Sequence, residues 1–186
     1  MKRLVWMVVL VGLLWGCSGG EGNMEAAMEL RSRVQNAQRC SFDVEIVADY
    51  GDMTYEFALS CVADGQGNVA FTVTQPESIS GITGTLSKEG GKLTFDDVAL
   101  SFPMLAEGLV TPVSGPWVFY TALRGGNMKN AGRDGGYTRL TVSDSYADDA
   151  LTLDIWLDGE QIPVQADVIW ENRRILTMQV RNFQTM

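Results

Sequence analysis

Alternation of apolar and polar residues at every second position constrains the fold of this chain more than any other feature. From Cys40 to Ala48, and again from Met53 to Cys61, apolar side chains recur with a period of two. Such a period places successive side chains on opposite faces of a β-strand. The intervening Asp49-Tyr50-Gly51-Asp52 is typical of a tight turn. The region is therefore predicted to form a β-hairpin with one apolar face.

A four-residue turn would set the register of this hairpin. The predicted cross-strand pairs are Ala48 with Met53, Ile46 with Tyr55, Val44 with Phe57, Phe42 with Leu59, and Cys40 with Cys61. Opposed cysteines in a non-hydrogen-bonded pair are close enough for a disulfide. A Cys40–Cys61 disulfide is therefore predicted, and the alternative is two reduced, buried thiols.

The same pattern continues along the chain. Further strands are predicted near residues 69–73, 79–86, 93–95, 98–100, 137–142, 151–157, 164–170 and 176–180. Short strands separated by regular turns indicate a sheet protein of the sandwich or barrel kind. The predicted fold class is mainly β (α+β), with about nine or ten strands in one large curved antiparallel sheet or unclosed β-barrel.

Two helices interrupt the strands. Asn23 can cap an amphipathic helix from Met24 to about Gln38. Ser114-Gly115-Pro116 begins a second helix, which Gly125-Gly126 ends. The two helices are expected to cover the concave, apolar face of the sheet. The apolar segment between Pro103 and Pro112 is predicted to be a loop, and residues 127–136 a mobile one.

The N-terminus has the pattern of a bacterial lipoprotein. Lys2 and Arg3 precede a run of about a dozen apolar residues, which is too short to span a bilayer as a helix. The junction Leu14-Trp15-Gly16-Cys17 resembles a lipobox. Residues 1–16 are therefore expected to be a signal peptide, Cys17 the site of lipid attachment, residues 17–23 a flexible tether and residues 24–186 a single domain. The alternative is an ordinary signal peptide with an incidental cysteine.

Composition excludes several function classes. The chain has no histidine, the commonest general base and transition-metal ligand. Its net charge is −9, and loss of Lys2 and Arg3 with the signal peptide would make it −11. Such a surface argues against nucleic acid as a partner. No catalytic group, metal site or cofactor is predicted, and the expected location is the extracytoplasmic face of the cell membrane.

The order of elements resembles the LolA/LolB-like family of bacterial lipoproteins. The segments that carry the resemblance are Phe71-Thr72-Val73-Thr74-Gln75-Pro76-Glu77 and Leu157-Asp158-Gly159 with Pro163-Val164-Gln165-Ala166. The chain is also similar to the small lipoproteins of clostridia-type Gram-positive bacteria, which include the germination lipoprotein GerS. The resemblance implies an unclosed, strongly curved sheet that holds acyl chains in an apolar hollow.

The apolar residues before and within the second helix are candidates for lining such a hollow. They are Leu105, Leu109, Trp117, Phe119, Tyr120 and Leu123. The alternative is that these side chains simply fill the core. We expect a non-enzymatic envelope lipoprotein that binds a lipid acyl chain or a lipoprotein in the hollow. The alternative function is docking of an envelope protein partner at the cell or spore envelope, as the GerS-like branch implies.

Overall fold

The computed structural model describes residues 19–95, 98–103, 105–106, 109–144 and 150–186. The predicted lipid-attachment residue Cys17, the predicted signal peptide and residue 18 of the predicted tether lie outside the described residues. Within the described residues the chain forms two α-helices and thirteen β-strands.

One antiparallel sheet contains most of the strands. The strands are β1 (Arg39–Asp49), β2 (Thr54–Asp64), β3 (Val69–Gln75), β4 (Thr83–Ser87), β5 (Gly90–Phe95), β6 (Val98–Phe102), β7 (Leu105–Ala106), β8 (Leu109–Val110), β9 (Asn127–Asp134), β10 (Tyr137–Ser143), β11 (Thr152–Leu157), β12 (Pro163–Trp170) and β13 (Arg173–Thr185). Eleven of them form the sheet in the order β6-β5-β4-β3-β2-β1-β13-β12-β11-β10-β9, and β7 and β8 pair with each other. The sheet is unclosed, with β6 and β9 at its two edges, which confirms the predicted fold class.

The two-residue period of the sequence determines which face of the sheet is buried. In β1, Phe42, Val44 and Ile46 are each 1% exposed, whereas the intervening residues are half-buried or exposed. Leu153, Ile155 and Leu157 repeat this pattern in β11, at the other half of the sheet. These side chains belong to one continuous core. We call the face that carries them the inner face.

Both helices pack on the inner face. Helix α1 (Gly19–Asn36) buries Ala27, Leu30 and Val34 and packs against β9 and α2. Helix α2 (Gly115–Gly125) buries most of its length. Neither helix is long and apolar enough to cross a membrane, a finding that applies to the described residues only.

Glycine permits the close approach of α2 to the sheet. A Cβ atom at Gly126, just after the helix, would overlap Val142 Cγ1 of β10, so a larger residue there would push the end of α2 away from the sheet. A Cβ atom at Gly115 would lie 3.0 Å from Met178 Sδ of β13, a tight contact that the Met178 side chain would have to relieve by shifting slightly.

Several predicted boundaries differ from the structure. Helix α1 begins at Gly19 rather than Met24, so residues 19–23 of the predicted tether are helical. Residues 127–134 form strand β9 rather than a mobile loop. Ile79 lies in a short 3-10 helix (Glu77–Ile79) that precedes β4. A second 3-10 helix (Pro112–Ser114) leads into α2.

The predicted Cys40–Cys61 disulfide is wrong. Cys40 lies opposite Ala63, and Cys61 lies opposite Phe42. Both cysteines are free and buried. The two thiols are therefore diagonal neighbours on the inner face, too far apart for the direct pairing that a disulfide requires.

A one-residue shift of the hairpin turn explains the difference. The turn has four residues, as predicted, but Asp49 pairs with Thr54, so the turn occupies residues 50–53. The Tyr50 N–H donates to the Met53 carbonyl at 3.0 Å and closes it. Moving the turn by one residue moves every cross-strand partner by two. Each side chain consequently keeps the predicted face while changing its neighbour.

Candidate functional site

Three of the aromatic and apolar residues predicted to line a hollow fill the core instead. Phe119 and Tyr120 are fully buried, and Leu123 is 3% exposed. The Phe119 ring packs edge-on against Phe42 of β1, with centroids 5.5 Å apart, and against Phe183 of β13 at 6.3 Å. These side chains join α2 to the centre of the sheet.

The other three candidates have different positions. Leu105 and Leu109 lie in the short pair β7–β8, where Leu105 is opposite Val110 and Leu109 is opposite Ala106. The side chains of residues 104–109 lie outside what the structure describes. Trp117 is half-buried on α2 and faces an open groove.

Two adjoining cavities form this groove along α2. The first, of about 730 Å³, is bounded by α2, the end of α1, the β2–β3 turn and the β4–β5 turn. The second, of about 550 Å³, extends along α2 towards Asp144 and Leu151. Both cavities are lined by Lys88, Trp117, Thr121 and Gly125. We call the continuous depression the Trp117 groove.

The β2–β3 turn is held against α2 by three side chains of the helix. Trp117 Nε1 donates to the Gly67 carbonyl at 2.9 Å, and the Tyr120 hydroxyl donates to the Asp64 carbonyl at 2.9 Å. The Arg124 guanidinium donates to the Gly65 carbonyl. Because its N–H is engaged, the Trp117 indole is fixed as one wall of the groove.

The turn itself is organised by the Asp64 carboxylate. One oxygen accepts from the backbone N–H groups of Gln66 and Asn68 at 2.8 and 2.9 Å. The other accepts from the Asn68 side chain at 2.9 Å. Burial acts to raise the pKa of Asp64, but the hydrogen bonds from Asn68 and Gln66 outweigh it and lower this pKa below its ordinary value. The β2–β3 turn, which forms one wall of the groove, is therefore already ordered without a ligand.

Helix α1 supports the other end of the groove. Arg31 Nε donates to the Leu123 carbonyl at 3.0 Å, and Gln35 Nε2 donates to the Arg124 carbonyl at 2.7 Å. These carbonyls belong to the last turn of α2, where backbone acceptors lack partners within the helix. A cation is favourable at that end of a helix dipole. Two side chains of α1 thus fix the terminus of α2.

The two cavities differ in their linings. Lys88, Glu89 and Arg124 line the larger cavity. Val118, Ala122 and Leu151 line the smaller one, together with Lys88 and Asp144. Lys88 is exposed at the junction and forms no ion pair among the described residues. Its ammonium group can therefore meet a charged or polar group of a ligand.

The buried cysteines are not part of this groove. Burial raises the pKa of the Cys61 thiol and that of the Cys40 thiol, and Tyr120 hydrogen-bonds to Cys40. A raised pKa keeps a thiol protonated and poorly nucleophilic. The part of the chain that the structure describes holds no cluster of three residues suited to bind a metal ion.

Of the residues that line the groove, Trp117 is among those predicted from the sequence, whereas Lys88 and Thr121 are not. Lys88 lies between the strands predicted near residues 79–86 and 93–95, and Thr121 interrupts the apolar segment 117–123 of a helix that also contains Arg124. A polar position within the apolar segment 117–123 marks the face of α2 that is not packed on the sheet. That was the available signal.

The described residues define a class of protein: one large unclosed antiparallel sheet, with two α-helices on its inner face and a cleft beside the second helix. No protein-family model matches the chain, and no curated protein matches it in sequence.

Several solved structures are partly similar to this chain in fold. A LolA superfamily protein from Nitrosomonas europaea is 6% identical, with a TM-score of 0.48 over 86% of this chain and 93% of that one. An uncharacterized conserved protein from Thermus thermophilus is 13% identical, with a TM-score of 0.47 over 86% and 87%. The CwlD amidase–GerS lipoprotein complex from Clostridioides difficile matches at 12% identity and a TM-score of 0.43, over 88% and 95%. These likenesses define no function for the chain.

Proposed function

We propose that this chain is a membrane-anchored envelope lipoprotein without catalytic activity, which binds an acyl chain of a lipid or of a lipoprotein in the Trp117 groove. The main support for the proposal is that two adjoining cavities share the Trp117 indole as a wall. Val118, Ala122 and Leu151 give one cavity apolar walls, and the ammonium group of Lys88, which forms no ion pair with any residue that the structure describes, lies where the two cavities meet. An acyl amphiphile needs this combination of apolar walls and a few placed polar groups.

The size of the groove suits such a ligand. Its cavities of about 730 and 550 Å³ fall within the range of about 300–1,000 Å³ typical of ligand sites. Each methylene that leaves water contributes about 0.8 kcal/mol. An acyl chain lying along Val118, Ala122 and Leu151 would therefore bind mainly through the hydrophobic effect, with its polar end at Lys88.

The groups around the groove favour binding over catalysis. The Thr121 hydroxyl donates to the Trp117 carbonyl of its own helix at 2.8 Å, so it is not poised against a base. Arg124 is held by the Gly65 carbonyl. Without histidine anywhere in the chain, the usual activation of a hydroxyl nucleophile is not possible.

The anchor is tested by replacing Cys17. In a bacterial host fed an alkyne-tagged fatty acid, the full chain should incorporate the tag and fractionate with membranes. Cys17→Ser should lose both properties, because the acylated thiol would be missing. Cys40→Ser is the matched control, since Cys40 is buried in the domain, and it should retain the tag. Tag incorporation by Cys17→Ser would contradict the proposed anchor.

The groove is tested by filling it. Thr121 lines both cavities, so Thr121→Trp should occupy the space of the acyl chain and weaken binding of a fluorescent fatty acid by about tenfold or more. Thr121→Val keeps the size but removes the hydroxyl, and it should bind within about twofold of the parent chain. Unchanged binding by a folded Thr121→Trp variant would overturn the assignment of the groove.

A further inference from the structure

The two edges of the sheet differ in chemistry. Edge strand β9 contains Lys129, Arg133 and Asp134, and helix α1 packs against it. The opposite edge strand, β6, reads Val-Ala-Leu-Ser-Phe and has no charge, proline or glycine. Its pairing with β5 is continuous, without a bulge. Charges, bulges and covering helices are the usual protections of a strand edge, and within the described residues β6 has none of these.

The inner face of β6 is also apolar and exposed. Gly91 of β5 lies opposite the core residue Leu86 on one side and Phe102 of β6 on the other, which places Phe102 on the inner face. The two-residue period then places Leu100 and Val98 on the same face. Val98 is 70% exposed and Leu100 is 63% exposed. No described strand pairs with the outer edge of β6, and this edge thus lies directly beside exposed apolar side chains.

We propose that β6 is an interface for a second copy of this chain, joined by antiparallel pairing of β6 with β6 about a two-fold axis at Leu100. In this register Leu100 faces Leu100 of the second copy, and Val98 faces Phe102 of the second copy. All of these contacts lie on the inner face and are apolar. Aromatic and β-branched side chains opposite each other stabilise antiparallel pairs.

The sequence of β6 is suited to pairing with itself. Pairing about Leu100 brings no charge opposite another charge, because all five residues of the strand are uncharged. Ala99 faces Ser101 of the second copy on the outer face, where small side chains leave room for close approach. An acyl chain could cover Val98 and Leu100 but has no groups to pair with the backbone edge. A second β6 strand can pair with the backbone edge and also cover Val98 and Leu100.

The expected interface is small, and anchoring in a common membrane would favour its formation. A pair of five-residue strands buries less than the roughly 1,200 Å² of a stable complex. Anchoring both copies in one membrane raises their effective concentration without any new contact. The pairing therefore draws on the proposed lipid anchor for its stability, though its register does not depend on that anchor.

Cysteine substitution tests the register directly in the full chain expressed in bacterial membranes. Leu100→Cys places two thiols opposite each other, at a Cα separation of about 4.5–5.5 Å that a disulfide can bridge. Ser101→Cys is the matched control, because Ser101 faces Ala99 of the second copy rather than itself. Mild oxidation should yield disulfide-linked dimers of Leu100→Cys and few of Ser101→Cys. Equal crosslinking of both variants, or of neither, would overturn the proposal.

A charge on the edge provides a second test. Leu100→Lys should abolish the dimer in chemical crosslinking of membranes, because the two ammonium groups would face each other. Met53→Lys introduces the same charge at another exposed apolar residue, 57% exposed, and should leave the dimer intact. Lipidation is measured by mass in the same samples, so that loss of the anchor is distinguished from loss of pairing. Capture of a different protein at residue 100 in place of the second copy would contradict the inference.

Discussion

At the scale of single residues, two tyrosine hydroxyls connect distant parts of the chain. Tyr50 donates to the Val110 carbonyl, and Tyr120 donates to the Asp64 carbonyl at 2.9 Å. Burial raises the pKa of each from 10.0 to about 12, with a further contribution from Tyr55 in the first case and Cys40 in the second. Both hydroxyls therefore favour the protonated form in the folded state.

These pKa shifts predict a loss of stability at high pH. Between pH 10 and about 12 the unfolded chain releases both protons while the folded chain retains them. The free energy of unfolding should accordingly fall as the pH rises through this window and be unaffected by these groups below it. Urea denaturation at a series of pH values measures the slope.

Replacement of the tyrosines identifies the source of that slope. Tyr50→Phe and Tyr120→Phe should each reduce it, whereas Tyr137→Phe, at an exposed position, should not. Each of the first two should also cost about 1 kcal/mol at neutral pH for the lost hydrogen bond. Burial also raises the pKa of the Cys40 and Cys61 thiols, so a shallower slope should remain in the double variant Tyr50→Phe/Tyr120→Phe. A slope as steep as that of the parent chain would refute this explanation.

At the scale of elements, the C-terminus of α2 depends on α1. Arg31 donates to the Leu123 carbonyl at 3.0 Å and to the Ala122 carbonyl at 3.3 Å. Burial lowers the pKa of Arg31, yet the guanidinium remains charged in any ordinary buffer. It offsets the negative end of the helix dipole and satisfies two carbonyls at once.

Removal of this contact should destabilise the whole domain. Arg31→Met keeps most of the apolar stem and should lower the free energy of unfolding by about 2 kcal/mol, the typical value of a lost hydrogen bond to a charged group. Arg39→Met is the control, because Arg39 is exposed, and it should change stability by less than about 0.5 kcal/mol. Equal denaturation midpoints for the two variants would contradict the role given to Arg31.

Local sequence predicted the elements better than their exact placement. The two-residue period identified β1, β2, β11 and β13, because half-buried strands require it. Strand β9 was missed because an edge strand with charged residues lacks a clear apolar alternation. The hairpin register was missed because a turn shifted by one residue leaves the same side chains buried. A pattern of burial fixes the face of a residue but not its cross-strand neighbour.

At the scale of the molecule, the sheet joins the two ends of the domain. Strand β13 lies between β1 and β12, so the last strand completes the centre of the sheet rather than an edge. The Met186 N–H donates to the Arg39 carbonyl at 2.8 Å, extending this pairing to the last residue. The N-terminal strand β1 and the C-terminal strand β13 are therefore neighbours at the centre of the sheet.

The groove could not be predicted from the sequence, because the order of the strands determines which residues line it. Gly67, Lys88 and Trp117 lie in three separate elements, and only the strand order brings them to one cavity. Sequence could predict that the inner face needs a helix or a ligand to cover it. The packing of α2 decides which side chains fill the core, as Phe119 does, and which remain open to the groove, as Trp117 does.

Tryptophan quenching by a brominated fatty acid is the sharpest test of acyl-chain binding in the Trp117 groove. Bromine quenches an indole only at contact, and the predicted mature chain contains Trp117, Trp156 and Trp170. In a chain that retains only Trp117, through Trp156→Phe and Trp170→Phe, quenching should be saturable and should be reversed by unbrominated fatty acid. A chain that retains only Trp156, whose indole N–H bonds to Asp134 away from the groove, should remain unquenched. Absence of quenching at Trp117, or equal quenching at both, would contradict acyl-chain binding in the groove.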